Sequence, residues 1–261
     1  MATPLSAGLA KTTITPPIGT DMGGYGARQG PAEGVHDDLE AAALCLHGED
    51  TVVLLTADLV GLDRASVAEV RERIARQTGC PPRHVMLTCS HTHAGPATPC
   101  LQSLGVPDAG YLAELRSKLV GVAVSAWEKR APARAGAARA PVAIALNRRN
   151  ARATDQDGVT DVGTVQPHVE VLRVDDESGK PMAVWMCHPA HPVTLREDNL
   201  LFSADWVGYA RQAVERRHPG TVALFAQGCA GNLVSWPHDG TFETAKRQGE
   251  PFGEAVCSAL E

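Results

Sequence analysis

Aromatic side chains are scarce: Phe, Trp and Tyr make up 4% of the 261 residues, so a core has to be assembled from Ala, Val and Leu. No apolar run approaches the roughly 20 residues that span a bilayer. The opening stretch MATPLSAGLAKTTITPP also lacks the continuous hydrophobic region of a secretory leader. Positive charge is in deficit. Lys and Arg number 24 against 30 Asp and Glu, a net charge of −6, which argues against the basic surface that nucleic acid or an anionic membrane requires. No CxxC pair occurs among the seven cysteines, at positions 45, 80, 89, 100, 187, 229 and 257. An odd, scattered set suits a reducing compartment, so the expectation is a cytoplasmic chain whose cysteines are mostly small buried hydrophobes. The remaining composition, 44% hydrophobic and 21% charged, is ordinary for a globular chain long enough to bury a core.

What is present is an alternation of strand and helix signals. The apolar run TVVLLTA (51–57) reads as a buried strand ending at Asp58, and Asp63 caps a helical pattern that Gly79 stops. HVMLTC (84–89) is a second strand, and Asp108 caps a helix running to Arg130. APARAGAARAP (131–141) reads as an Ala/Arg/Pro connector, followed by a strand VAIAL. Strands near 169–174 and 181–187 flank the turn DDESGK. A helix over 206–217, a strand TVALFAQ, a tight turn GCAGN and a last helix from Phe242 complete the chain, with Pro251 expected to interrupt or kink that helix. The expectation is an α/β fold, a single domain over 1–261 with a mixed β-sheet flanked by helices.

Residues with chemistry gather at strand ends, where open α/β sheets bind ligands. CSHTHAGP carries His91 and His93, and on extended backbone an i, i+2 pair faces one side with Thr92 turned away. CHPAHPV carries His188 and His191, each followed by a proline that favours extended backbone. Two such clusters converging on one crevice point to a metal site, with neutral imidazole as the ligand type zinc favours. One of His188 and His191 suffices as a ligand. Arg148, in NRR after a strand, reads either as a substrate contact or as a solvated arginine. Asp205 reads either as an acceptor that orients a histidine or as a helix cap. Asp58 is a candidate ligand or a turn former. His36, His47, His84, His168, His218 and His238 read as structural.

The stretches ITPPIGTDMGGYGAR, GVHDDLEAAAL, TADLVGL, CSHTHAGP, NRR, HPVTLREDNLLFSAD and FAQGCAGN together resemble the N-terminal domain of the neutral/alkaline, non-lysosomal ceramidase family and its small bacterial relatives. The family's enzymes are zinc-dependent amidases. The resemblance implies that His91 and His191 are zinc ligands, that His93 assists catalysis, that Arg148 contacts substrate and that Asp205 has a supporting role. The chain departs from the family's GDVSP at GNLVSW (231–236), where the serine falls on Val234 with Ser235 one position late. The glutamate and tyrosine that complete the family's zinc site lie well downstream of this turn.

These readings converge on a zinc-dependent hydrolase of an amide bond in a soluble N-acyl substrate. His93 transfers a proton, and backbone N–H groups of Gly228, Cys229 and Asn232 hold the developing oxyanion. The rival enzyme reading makes Cys229 a nucleophile, although Gln227 breaks the small-residue pattern of a nucleophile elbow. The rival outside enzymology is a catalytically silent binding or assembly protein. Oligomeric state is open, a homo-oligomer included.

Overall fold

A computed structural model of the protein describes residues 3–98, 104–149, 152–153 and 159–261. In chain order the elements are β1 (Ser6–Thr13), β2 (Gly34–Val35), β3 (Glu40–His47), β4 (Thr51–Ala57), α1 (Arg64–Thr78), β5 (Val85–Cys89), α2 (Ala109–Glu128), β6 (Ala131–Pro141), β7 (Ala145–Asn147), β8 (Arg152–Ala153), β9 (Val159–Asp161), β10 (His168–Asp176), β11 (Pro181–His188), β12 (Leu201–Phe202), α3 (Trp206–Arg217), β13 (Val222–Gln227), β14 (Leu233–Ser235) and α4 (Phe242–Leu260). Asp63 caps α1 through the Ser66 amide, and Gly79 closes it with φ 74°, as its sequence pattern requires. Asp108 caps α2 in the same way, through the Tyr111 amide.

Eight strands form one mixed sheet in the order β13-β11-β10-β6-β1-β3-β4-β5. Alternation of side chains along each strand supplies two apolar faces. On one face Ala43, Val53, Leu55, Val171, Val184 and Phe225 pack with α1, α2, α3 and α4. On the other, Ala7, Ala42 and Leu44 from one half of the sheet meet Val174, Ala183 and Leu224 from the other half. The sheet is therefore folded onto itself, with its terminal strands β13 and β5 in contact. Helices cover the outside, and close approach is achieved by glycine. A Cβ on Gly8 would lie 1.9 Å from the Ala126 carbonyl oxygen of α2, and one on Gly249 would lie 2.2 Å from the Trp206 carbonyl oxygen of α3.

Several expectations are corrected here. Residues 131–141 are an eleven-residue strand, not a connector. Their Ala-rich composition has little strand propensity, and the segment is held by continuous antiparallel pairing with β10, from Ala133 opposite Asp176 to Pro141 opposite His168. The expected strand 142–146 is reduced to Ala145–Asn147. Pro251 does not interrupt the last helix, which runs through it to Leu260. Strands β1 and β3 carried no assignment from the sequence, yet they pair over their full length.

Asp58 is not in a ligand group. It is 1% exposed, ion-paired to Arg211 at 2.5 Å, and it accepts the Glu40 amide at 2.9 Å. Burial alone would lower the Arg211 pKa, but the carboxylates of Asp58 and Glu40 reverse this and raise it, so the guanidinium stays charged. Removing one member of a buried pair leaves the other charge uncompensated. Arg211→Met should therefore cost about 3–5 kcal/mol in urea unfolding, and Arg211→Met combined with Asp58→Asn should cost less than Arg211→Met alone.

Candidate metal centre

Strands β4 and β5 run parallel, as do β11 and β13, so in each pair the carboxyl ends lie together. The segments leaving all four strands meet in one place, as the crevice rule expects. His91 follows β5 by two residues. Its N–H donates to the Leu59 carbonyl at 3.0 Å, and its backbone is left-handed, with φ 69°. Its ring Nδ1 faces the Val60 carbonyl at 2.6 Å. A carbonyl only accepts, so the proton sits on Nδ1 and the lone pair on Nε2. His191 follows β11 by three residues and is anchored alike, with Nδ1 donating to the carbonyls of Ala230 (2.8 Å) and Leu233 (3.0 Å). The two Nε2 atoms face each other across 3.1 Å.

His93 joins them, with its Nε2 3.4 Å from that of His91. Within the group, the three rings offer ligand atoms that all lie within 4.8 Å of one another, so they could hold a metal ion. His91 and His93 do share one side, as expected, and Thr92 turns away to donate to the Ser203 carbonyl. The backbone doing this is irregular, with His91 at positive φ and a turn at His93–Ala94, not the extended segment the spacing implied. Burial lowers the pKa of His91, and burial together with His91 and His191 lowers that of His93 to about 3. Both rings are neutral at pH 7, the form that binds metal.

His188 lies elsewhere. It is fully buried, donates from Nδ1 to the His168 carbonyl at 3.0 Å and packs on Phe252. Asp205 is 1% exposed, and its oxygens accept the amides of Trp206 (2.6 Å) and Leu195 (3.1 Å). It caps α3 and ties down the segment after His191; these oxygens serve amides, not an imidazole. Burial raises its pKa to about 6 against these donors. Its backbone, at φ 56° and ψ −151°, lies in a region that costs a non-glycine residue about 1–3 kcal/mol.

Arg148 is exposed and lies close enough to His91 to help lower that ring's pKa. Its guanidinium donates to the Gly231 carbonyl at 2.8 Å, and its amide to the Asn232 carbonyl at 3.0 Å. The turn at 228–232 has part of its backbone committed to internal hydrogen bonds. The Gly228 amide is bound to the His188 carbonyl (3.2 Å) and the Ala230 amide to the Gly228 carbonyl (2.9 Å). The turn presents the Ala230 carbonyl to His191, and of the three expected oxyanion donors the Gly228 amide is already bonded. Cys229 is exposed on its rim, outside the histidine group.

Gln227 is a participant that the sequence did not reveal. Its side-chain amide donates to the carbonyls of Ser90 (3.3 Å) and Ala190 (2.8 Å), and its Oε1 accepts the Ala190 amide at 3.1 Å. It therefore joins the residues immediately before His91 and His191. The anchoring carbonyls of Val60, Ala230 and Leu233 have no sequence signature, since every residue carries one.

The chain matches the model of the neutral/alkaline non-lysosomal ceramidase N-terminal family over residues 5–247. It is 27% identical to the neutral ceramidase of Pseudomonas aeruginosa over 271 residues, covering 94% of this chain and 40% of that protein. It is 24% identical to the neutral ceramidase of Mycobacterium tuberculosis over 262 residues, covering 87% of this chain and 41% of that one. It thus spans about two fifths of the length of these relatives. The crystal structure of the P. aeruginosa enzyme shares the fold with a TM-score of 0.84 at 24% identity, over 98% of this chain and 45% of that chain. A ceramidase complexed with C2 shares it with the same score at 23% identity. With most of its length matched in this way, the chain belongs to the neutral/alkaline non-lysosomal ceramidase family.

Proposed function

We propose that the chain carries the histidine centre of a zinc-dependent hydrolase that cleaves the amide bond of an N-acyl substrate. The observation that carries this reading is the 3.1 Å approach of two Nε2 atoms, each left with its lone pair by a carbonyl on the opposite nitrogen. Two neutral lone pairs pressed together repel, and a cation between them turns that repulsion into attraction. The spacing fits zinc. Bonds of 2.0–2.1 Å in tetrahedral arrangement separate neighbouring ligand nitrogens by about 3.3–3.4 Å.

His91 and His191 would hold the ion, because they have the well-aligned carbonyl anchors that metal-bound imidazoles use. The chemistry supplied by bound zinc is Lewis-acid polarisation of an acyl carbonyl and acidification of water. His93, beside the pair and neutral at pH 7, would take a proton from the attacking water and pass it to the leaving amine nitrogen. Arg148 binds a substrate oxygen from the exposed rim, bordered by Gly228, Cys229 and Asn232. Asp205 acts at one remove, by fixing the segment that bears His191.

Zinc titration followed by dialysis and elemental analysis tests the assignment. The unmodified protein should retain zinc, while His91→Ala and His191→Ala should retain less than about a tenth as much. His93→Ala should keep its zinc and lose about 100-fold or more in turnover of an N-acyl amine. A protein that takes up no zinc, or that keeps both zinc and full turnover in His93→Ala, would overturn the reading in favour of a catalytically silent family member.

Gln227→Leu strands the polar groups of Ser90 and Ala190 that the amide now satisfies. It should lower stability by about 1–3 kcal/mol in denaturant unfolding, and zinc affinity should fall with it, because the two histidine segments lose their shared tie.

A further inference from the structure

His91 and His191 are oriented by well-aligned carbonyls; the ring of His93 has only a loose contact with the Gly24 backbone. Its Nδ1 lies beside Gly24 and is buried without an aligned partner among the described residues. Something else has to set its direction, and the segment 23–28 is built around it. Gly24 has φ 103°, and a Cβ there would stand 2.7 Å from the His93 ring, so only glycine lets the chain press against that face. The Tyr25 ring meets the His93 ring edge-on, with centroids 5.0 Å apart and an interplanar angle of 66°. Its hydroxyl donates to the Val193 carbonyl at 3.3 Å, two residues beyond His191.

Arg28 completes the cradle. Its guanidinium donates to three carbonyls on three separate segments: Gly23 (2.8 Å), His93 itself (2.8 Å) and Asn199 (3.2 Å). It also lies 5.1 Å from the centre of the Tyr25 ring, within cation–π range. A planar fork of five donors reaches three separated acceptors from fixed directions, a spread that the compact ammonium of a lysine does not have. The Met22 bridge to Pro96 and the Gly23 amide bond to the Gly95 carbonyl (2.9 Å) fasten the same segment to the turn after His93.

We propose that Arg28 and Tyr25 are positioning residues that aim the His93 ring into the space shared with His91 and His191. Arg28 fixes the backbone of His93, and Tyr25 fixes its ring. This rests on the reading of His93 as the proton carrier. Neither residue touches the reacting atoms; both act through His93.

The test pairs ring NMR with kinetics. In imidazole ¹⁵N–¹H spectra of the zinc-free protein, His93, assigned by its loss in His93→Ala, should give one resolved tautomer. In Arg28→Met and Tyr25→Leu those signals should move to tautomer-averaged positions and broaden, while Tyr25→Phe, which keeps the edge contact, should restore them. With zinc loaded, kcat for an N-acyl alkylamine should fall about tenfold in both variants, because misplacing a proton donor has costs of that order or more. Turnover of an N-acyl nitroanilide, whose leaving group needs less protonation, should fall by no more than about threefold. KM should stay within about twofold. If Arg28→Met does not fold, Tyr25→Leu and Tyr25→Phe carry the comparison. Unchanged His93 signals in the variants, or equal losses on both substrates, would sink the proposal. An inactive parent protein would instead count against the hydrolase reading, with the ring spectra still deciding whether Arg28 and Tyr25 set His93.

Discussion

Two imidazole nitrogens held 3.1 Å apart with their lone pairs inward are an arrangement that a fold does not reach by burial alone. Each ring has its tautomer set from behind, by Val60 in one case and by Ala230 and Leu233 in the other. Neither can rotate away without abandoning a buried carbonyl, at a cost of about 1–3 kcal/mol. The neighbouring parts serve this constraint. Gln227 sets the spacing of the two segments, Asp205 immobilises the stretch after His191, and the carboxyl ends of two parallel strand pairs bring the segments together.

Backbone strain is concentrated in the same neighbourhood. His91 at φ 69° and Asp205 at φ 56° are two of the three non-glycine residues with positive φ among those described. Positive φ costs any side chain, and the ψ of −151° at Asp205 lies in a region that is essentially glycine's alone. Strain of this kind persists where surrounding contacts over-determine it. Here these are the Leu59 carbonyl on the His91 amide and two amides on the Asp205 carboxylate. The aliphatic core around the sheet offsets this strain.

Much of this was legible in the sequence because local rules governed it. Capping by Asp63 and Asp108, the helix 206–217 and the strand ends bearing histidines all obey short-range physics. Residues 131–141 were misread because their strand state comes from the partner β10 and from nothing in an Ala/Arg/Pro composition. The spacing of CHPAHP could not choose between His188 and His191, since a proline follows each; family resemblance chose, and geometry places His191 in the group. The anchors of the rings were invisible for a different reason. They are main-chain carbonyls, and only the folded path decides which ones face a nitrogen.

The folding of the sheet onto itself has a thermodynamic corollary. His91 leaves β5 at one end of the strand order, and His191 leaves β11 close to the other. A cation shared by these rings would therefore be a cross-link between the two leaves of the sheet. Occupancy and global unfolding would then be coupled by mass action: whatever separated the leaves would release the ion, and rising free ion concentration would resist that separation by RT ln(1 + [L]/Kd).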